Sequence, residues 1–414
     1  MWLAILIISP VAIVLLGHYV SRQLVRAVES LLPRRARAAR IGRRIYLGIM
    51  YSVPALLLLW VAYVLIARPE RNSAPSHWVL DYGLMIPFWF VTLWSLQCAL
   101  LIAPVHLLAW GVHRARPGLP PRWERRRHGL VLLVAAVFAV YMPVRIAIDS
   151  RSLEVRQYEV GSAELPTELD GFRIALIADP QADEVTGRAR LTQLVDAVNR
   201  ERPDLVLIAG DIISRDPAYI EMAAEVLGRL RAPHGVVSTI GDHENFAYRD
   251  RKRSVREVRE GLAAHGIAML DNEVQWIEVG GHRLAIVVAT DNYITPLGED
   301  QARLLIARAS AADFTAILTH QARTPLLDAA RAASADLVLA GHTHGGQDRF
   351  WMPGFDLVAA RIETPYITGH FTLGPTDLIV SSGLGTSVVP FRYRAPATAE
   401  IITLRRPNAS TGDP

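Results

Sequence analysis

A chain of 414 residues, half of them hydrophobic and one of them cysteine, is too long for one ordinary domain and rules out a disulfide framework or a cysteine metal site. Its net charge of +4 joins two unlike parts, because residues 1–147 carry 17 arginines against 4 acids while residues 148–414 carry 27 basic side chains against 36 acids. The positive excess sits in short loops between apolar segments and not on one folded surface, so it marks a membrane segment and excludes a nucleic-acid surface.

Four apolar stretches, residues 2–20, 45–67, 84–110 and 129–148, have the roughly 20 residues a bilayer span requires. No basic residue precedes the first, unlike a cleavable secretion signal, so it reads as a retained helix. Arg145 interrupts the fourth near one end, where its stem can stay in apolar surroundings while the charge reaches the headgroups. Trp60, Trp78, Trp89 and Trp110 fall near span ends, the level indoles prefer. The loops 21–44, 68–82 and 111–128 hold eight, two and six arginines. Arginine is retained in the cytoplasm, so the first and third loops are cytoplasmic and everything after residue 148 lies outside it. Gln97 and His106, inside the third span, read as interhelical hydrogen-bonding groups. The arginine runs are explained by topology, with anionic lipid as the competing account.

From about residue 170 the pattern becomes short apolar runs alternating with amphipathic stretches such as 187–200 and 322–335, which indicates buried strands of an α/β domain. The runs are 173–179, 204–211, 235–244, 313–320 and 336–344, and polar metal-ligand types close each of them. Ligands bind at the carboxyl ends of strands in such sheets. The termini supply Asp179, Gln181, Asp211, Asp242, His243, His320, His342 and His344, an oxygen and nitrogen set sufficient for two divalent cations. Taken singly each is an ordinary capping or surface residue; five strand ends together are not. His234, His265, His282 and His370 fall outside the pattern and read as structural. Asp291 ends a further run and reads as a strand terminator. Phe350, Trp351, Met352 and Phe355 read as core, with a lipid-touching lip as the alternative.

The ordered motifs Asp179-Pro-Gln181, Gly210-Asp211, Gly241-Asp242-His243-Glu244, His320 and Gly341-His342-Thr343-His344 resemble the calcineurin-like metallophosphoesterases. The continuation through Gln347 and the segment 381–396 are similar to the membrane-attached bacterial branch of that family. The resemblance implies an α/β four-layer sandwich, two mixed sheets flanked by helices, preceded here by an all-α bundle of four transmembrane helices. Domain limits follow: an anchor over 1–148, a linker with a leading strand over 149–169, the metallophosphoesterase domain over 170–405, and a disordered tail over 406–414. It further implies that Asp179, Gln181, Asp211 and His344 hold one metal, that Asp242, His320 and His342 hold the other, and that Asp211 bridges both. His243 is the implied acid beside the leaving oxygen.

Gln181 stands where histidine is commoner and Asp242 where asparagine is commoner, which hardens the site toward manganese, with magnesium, iron or zinc as alternatives. The expected reaction is hydrolysis of phosphate mono- or diesters, lipid-linked ones included, by a hydroxide bridging two divalent metal ions. The expected setting is a multi-pass inner membrane protein with its catalytic domain on the periplasmic side, in contact with membrane lipids and without nucleic acid. The competing reading is a decayed metal-binding or sensory module on a membrane anchor.

Overall fold

The computed structural model describes residues 2–67, 69, 81–115, 120–161 and 164–406, so Trp78 and residues 407–414 lie outside the described residues. The chain divides into two units, residues 1–69, 75–148 and 350–357 forming the first and the remainder the second.

The first unit contains α1 (Trp2–Leu31), α2 (Ala36–Ala67), α3 (Ile86–Ala115) and α4 (Pro121–Asp149, its last residue counted with the second unit). All four are long and apolar enough to cross a membrane. Each carries one proline beyond its first turn, Pro10, Pro54, Pro104 and Pro143, which apolar helices tolerate when neighbours satisfy the freed carbonyl. Polar side chains join helices: Tyr19 of α1 bonds His106 of α3 at 2.8 Å, and Tyr46 of α2 bonds Ser95 of α3 at 2.5 Å. Gln97 differs from the interhelical expectation. Fully buried, it donates to the Trp351 carbonyl and accepts from the Trp351 N–H, both at 2.9 Å, and so closes the backbone of a hairpin and not a second helix. That hairpin is β10 (Arg349–Met352) with β11 (Phe355–Val358). Phe350 is buried, as expected for core, but Trp351 and Phe355 are 42% and 58% exposed.

The second unit contains the two mixed sheets. One runs β1 (Leu153–Gly161), β14 (Ala397–Arg405), β2 (Arg173–Ile177), β3 (Leu205–Ile208), β4 (Val236–Ser238) and β5 (Ile267–Met269). The other runs β12 (Gly369–Leu373), β13 (Thr376–Val380), β9 (Leu337–Ala340), β8 (Phe314–Thr319), β7 (His282–Ala289) and β6 (Glu273–Val279). The runs β2-β3-β4-β5 and β13-β9-β8-β7 are parallel; β14 meets β2, β12 meets β13 and β6 meets β7 antiparallel.

Three apolar clusters account for four layers. Leu176, Leu207, Ile286, Leu318 and Leu339 meet in the cluster between the sheets. On the outer face of the first sheet Val206 and Ile208 pack on α5 (Arg188–Arg200), α6 (Ile220–Leu227) and α7 (Arg251–Ala264). On the outer face of the second, Val287 and Val338 pack on α8 (Glu299–Ala307) and α9 (Thr324–Ala332). Strands buried on both faces must be apolar throughout, which is why their interiors show no alternation and polar residues wait for the strand ends.

Glu400 on β14 breaks that rule. It is fully buried, accepts from the Thr398 hydroxyl, and burial pushes its carboxyl up to about 7. A carboxyl whose folded value is raised favours the fold while protonated, so its contribution is present below about pH 4.5 and lost as pH rises through about 7. Glu400→Gln is therefore expected to melt close to the parent at pH 5 and at a higher temperature at pH 8; equal shifts at both pH values would contradict the assignment.

Candidate metal centre

The five expected strands end where the two parallel runs present their carboxyl edges. Asp179 and Gln181 follow β2, Asp211 follows β3, Asp242 and His243 follow β4, His320 follows β8, and His342 and His344 follow β9. Asp179, Gln181, Asp211, His342 and His344 all have positive φ, between 42° and 71°. Each such turn costs on the order of 1–3 kcal/mol for a residue with a Cβ, and strain of this kind collects at functional sites. Close approach explains the glycines: a Cβ on Gly241 would lie 2.2 Å from Asp211 Oδ1, and one on Gly341 would lie 2.7 Å from Asp179 Oδ2.

Within the cluster, Asp242 Oδ2 lies 3.3 Å from both His320 Nε2 and His342 Nδ1, and Asp211 Oδ2 lies 3.6 Å from His320 Nε2. Two groups have metal-ligand spacing, Asp242 with His320 and His342, and Asp179 with Asp211 and His320. The first matches one expected ligand set. The second contains His320 where His344 was expected; His344 Nε2 lies 3.9 Å from Asp179 Oδ1 and 3.3 Å from Gln181 Nε2. Gln181 turns its amide nitrogen, not its oxygen, to Asp211 Oδ2 at 3.1 Å. An N–H beside a carboxylate is satisfied; metal ligation would require the amide to rotate. His243 Nε2 is 3.8 Å from Asp211 Oδ2, and its backbone N–H donates to Asp211 Oδ1.

The residues fit a pair of cations. Asp179 Oδ1, which His344 Nε2 faces, is buried without a hydrogen-bond partner, an arrangement that is costly unless something else occupies it. His320 donates Nδ1–H to the Ala209 carbonyl at 2.8 Å, which fixes the tautomer that leaves Nε2 as a ligand atom. Burial, reinforced by Asp211, pushes the Asp179 carboxyl up to about 6 even with His320 beside it. Burial opposes a charge on His320, yet Asp211 and Asp242 raise it well above the ordinary histidine value. Carboxylates this close stay buried together only with positive charge among them.

Several supporting residues carried no role in the sequence reading. Glu244, fully buried, accepts from the N–H groups of Asp211, Ile212 and Gly241 and ties the β3 loop to the β4 loop. Its place in the Gly-Asp-His-Glu motif was the available signal. Gln321 donates to Asp242 Oδ2 at 2.8 Å, and Glu363 faces His342 Nε2 at 3.3 Å. Glu363 lies in a segment without periodicity and left no signal. Asp291 accepts from the Leu297 N–H and from Arg323, holding its own loop as a terminator does. His265, His282 and His370 pair with Glu221, Glu168 and Asp377, and His234 packs on Phe172, all apart from the cluster.

Arg392, 1% exposed, donates to the carbonyls of His344, Ser382, Gly383, Gly385 and Ala395 at 2.7–3.2 Å, and burial lowers it to about 10. The loop it grips in turn donates from Gly385 N–H to the Asp179 carbonyl. Arg392→Met strands the carbonyls of Ser382, Gly385 and Ala395, those of His344 and Gly383 also accepting from the Gln347 and Thr398 N–H groups, and is expected to cost at least about 3 kcal/mol. Arg392→Lys should recover little, since an ammonium lacks the planar fork. Thermal denaturation of both variants checks this; parent-like melting of Arg392→Lys would contradict it.

The fold and the paired ligand groups define the class: an α/β sandwich with a candidate metal centre at the carboxyl ends of its parallel strands. Residues 172–346 match the family model described as calcineurin-like phosphoesterase. An uncharacterised metallophosphoesterase of Bacillus subtilis, YkuE, is 25% identical over 266 residues, which is 63% of this chain and 88% of that one. An uncharacterised metallophosphoesterase of Campylobacter jejuni is 29% identical over 283 residues, 67% of this chain and 69% of that one. A Danio rerio transmembrane protein with a metallophosphoesterase domain is 26% identical, and the match spans 68% of this chain but 63% of that one. Residues 172–346 thus carry a calcineurin-like phosphoesterase domain, a phosphoester hydrolase, preceded in the chain by four helices long and apolar enough to cross a membrane.

Proposed function

We propose that the protein hydrolyses phosphate mono- or diesters outside the cytoplasm with a dinuclear centre, Asp179, Gln181, Asp211 and His344 holding one cation and Asp242, His320 and His342 the other. The observation that carries this reading is the convergence of buried, mutually close carboxylates and imidazoles, with Asp179 Oδ1 among them left without a hydrogen-bond partner. Cations bound there supply Lewis acidity to the phosphoryl oxygens and lower the pKa of the attacking water. Manganese suits the oxygen-rich set best.

The chain's own side chains do the rest. His243 Nδ1 is committed to the Ser214 carbonyl, so Nε2 is the atom that faces the cluster and carries the proton to the departing alkoxide. The hydrogen bonds of Glu244 and of the His243 N–H keep Asp211 aimed inward. Tyr293, 39% exposed, sets its ring edge-on to His342 at 5.2 Å between centroids. The arginine content of the first and third loops supports a periplasmic catalytic domain. Attachment to a membrane bundle supports lipid-linked phosphates as the substrate class.

Asp211→Ala and His342→Ala are each expected to lower hydrolysis of a chromogenic phosphodiester in manganese by at least about 100-fold, with circular dichroism unchanged; full activity in both sinks the proposal. Gln181→His is expected to shift metal preference from manganese toward zinc or iron, read by metal titration of the purified protein. An unaltered preference refutes the role given to Gln181.

A further inference from the structure

Arg22 and Arg26 lie one turn apart on α1, and Arg40, Arg43 and Arg44 lie within about one turn on α2. The turn at Pro33–Arg35 reverses the chain between them. Arg40 therefore meets Glu29 at 2.7 Å, and Arg43 meets Ser21 Oγ and His18 Nδ1, each at 3.3 Å. All five arginines line one cavity of about 430 Å³, with Val25 as the remaining wall. Glu29 is a single carboxylate against five guanidinium groups. Among the described residues, Arg22, Arg26 and Arg44 form no ion pair.

Like charges one turn apart on a helix repel, and folding α2 back on α1 adds repulsion across the pair. Membrane topology requires only that arginines sit at that end of the spans; it is satisfied equally well with the side chains spread around each helix. Convergence on one cavity calls for an anion. A second cavity, of about 280 Å³, shares Val25 and Arg43 with the first. Its wall is apolar and comes from all four helices, through Leu24, Val28, Gly42, Trp94 and Leu132 among others. A cationic chamber opening onto an apolar cleft fits an amphiphile with a phosphate head.

We propose that the two cavities form one site for an anionic phospholipid, its headgroup phosphate among Arg22, Arg26, Arg40, Arg43 and Arg44 and an acyl chain in the cleft beside Gly42. Guanidinium forks bind phosphate oxygens in pairs, and basic pockets between membrane helices receive anionic headgroups. The site shares no residue with the metal cluster, so its test does not depend on catalysis.

The full-length protein in a neutral detergent is melted with phosphatidylglycerol, phosphatidylcholine or inorganic phosphate, and bound lipid is counted by native mass spectrometry. Phosphatidylglycerol is expected to remain bound and to raise the melting temperature by several degrees, phosphatidylcholine to do neither. R22Q/R26Q/R44Q is expected to lose the difference between the two lipids. Gly42→Phe keeps every charge, and no atom lies within 4 Å of the position its Cβ would take. It should fold, fill the cleft and weaken phosphatidylglycerol binding about tenfold or more, and it decides the matter should the arginine variant not fold. Equal effects of the two lipids, or retention of the difference by R22Q/R26Q/R44Q, overturn the proposal. So does a full shift with inorganic phosphate that Gly42→Phe leaves intact, which would identify a free anion.

Discussion

Four acidic side chains, Asp179, Asp211, Asp242 and Glu244, are buried to 4% exposure or less at the edge where two sheets meet. Placing that much negative charge out of water is the constraint the catalytic unit is built around. A lone buried carboxylate would be protonated or expelled. Here the charge is met by backbone N–H groups and by His320 and His342, with Asp179 Oδ1 left without a hydrogen-bond partner.

Such a cluster needs rigid walls, and the sandwich supplies them. The parallel strands are apolar on both faces and packed between the helices and the opposite sheet, so their ends cannot drift. Turns at those ends take strained backbone conformations, held by short-range contacts such as the approach of Gly241 to Asp211. Arg392 works from behind. It gathers carbonyls that the strained loops turn inward, among them those of Ser382 and Gly385.

The helical unit obeys different solvent rules. Its polar groups are few and mostly pair inside the bundle, as Tyr19 does with His106 and Tyr46 with Ser95. The exception is the arginine chamber, where five guanidinium groups are met by the single carboxylate of Glu29. One unit thus concentrates carboxylates, and the other concentrates guanidinium groups.

The sequence by itself determined the four apolar helices, the alternation of buried strands with amphipathic helices, and the polar residues at five strand ends. These are one-dimensional signals: length of an apolar run, periodicity, and the residue where a buried strand stops. It also contained Glu244 and Arg392 inside legible motifs, but not their roles, because a hydrogen bond to a distant backbone atom leaves no period. Only the tertiary structure decided that β2, β3 and β4 belong to one sheet and β8 and β9 to the other, so that His320 and His342 face Asp242 across the join. It alone brought Glu363 to His342, turned the Gln181 amide nitrogen toward Asp211, and spent Gln97 on the backbone of a hairpin some 250 residues later. Contacts of that kind depend on how separate elements pack, and packing is a property of the folded chain in three dimensions.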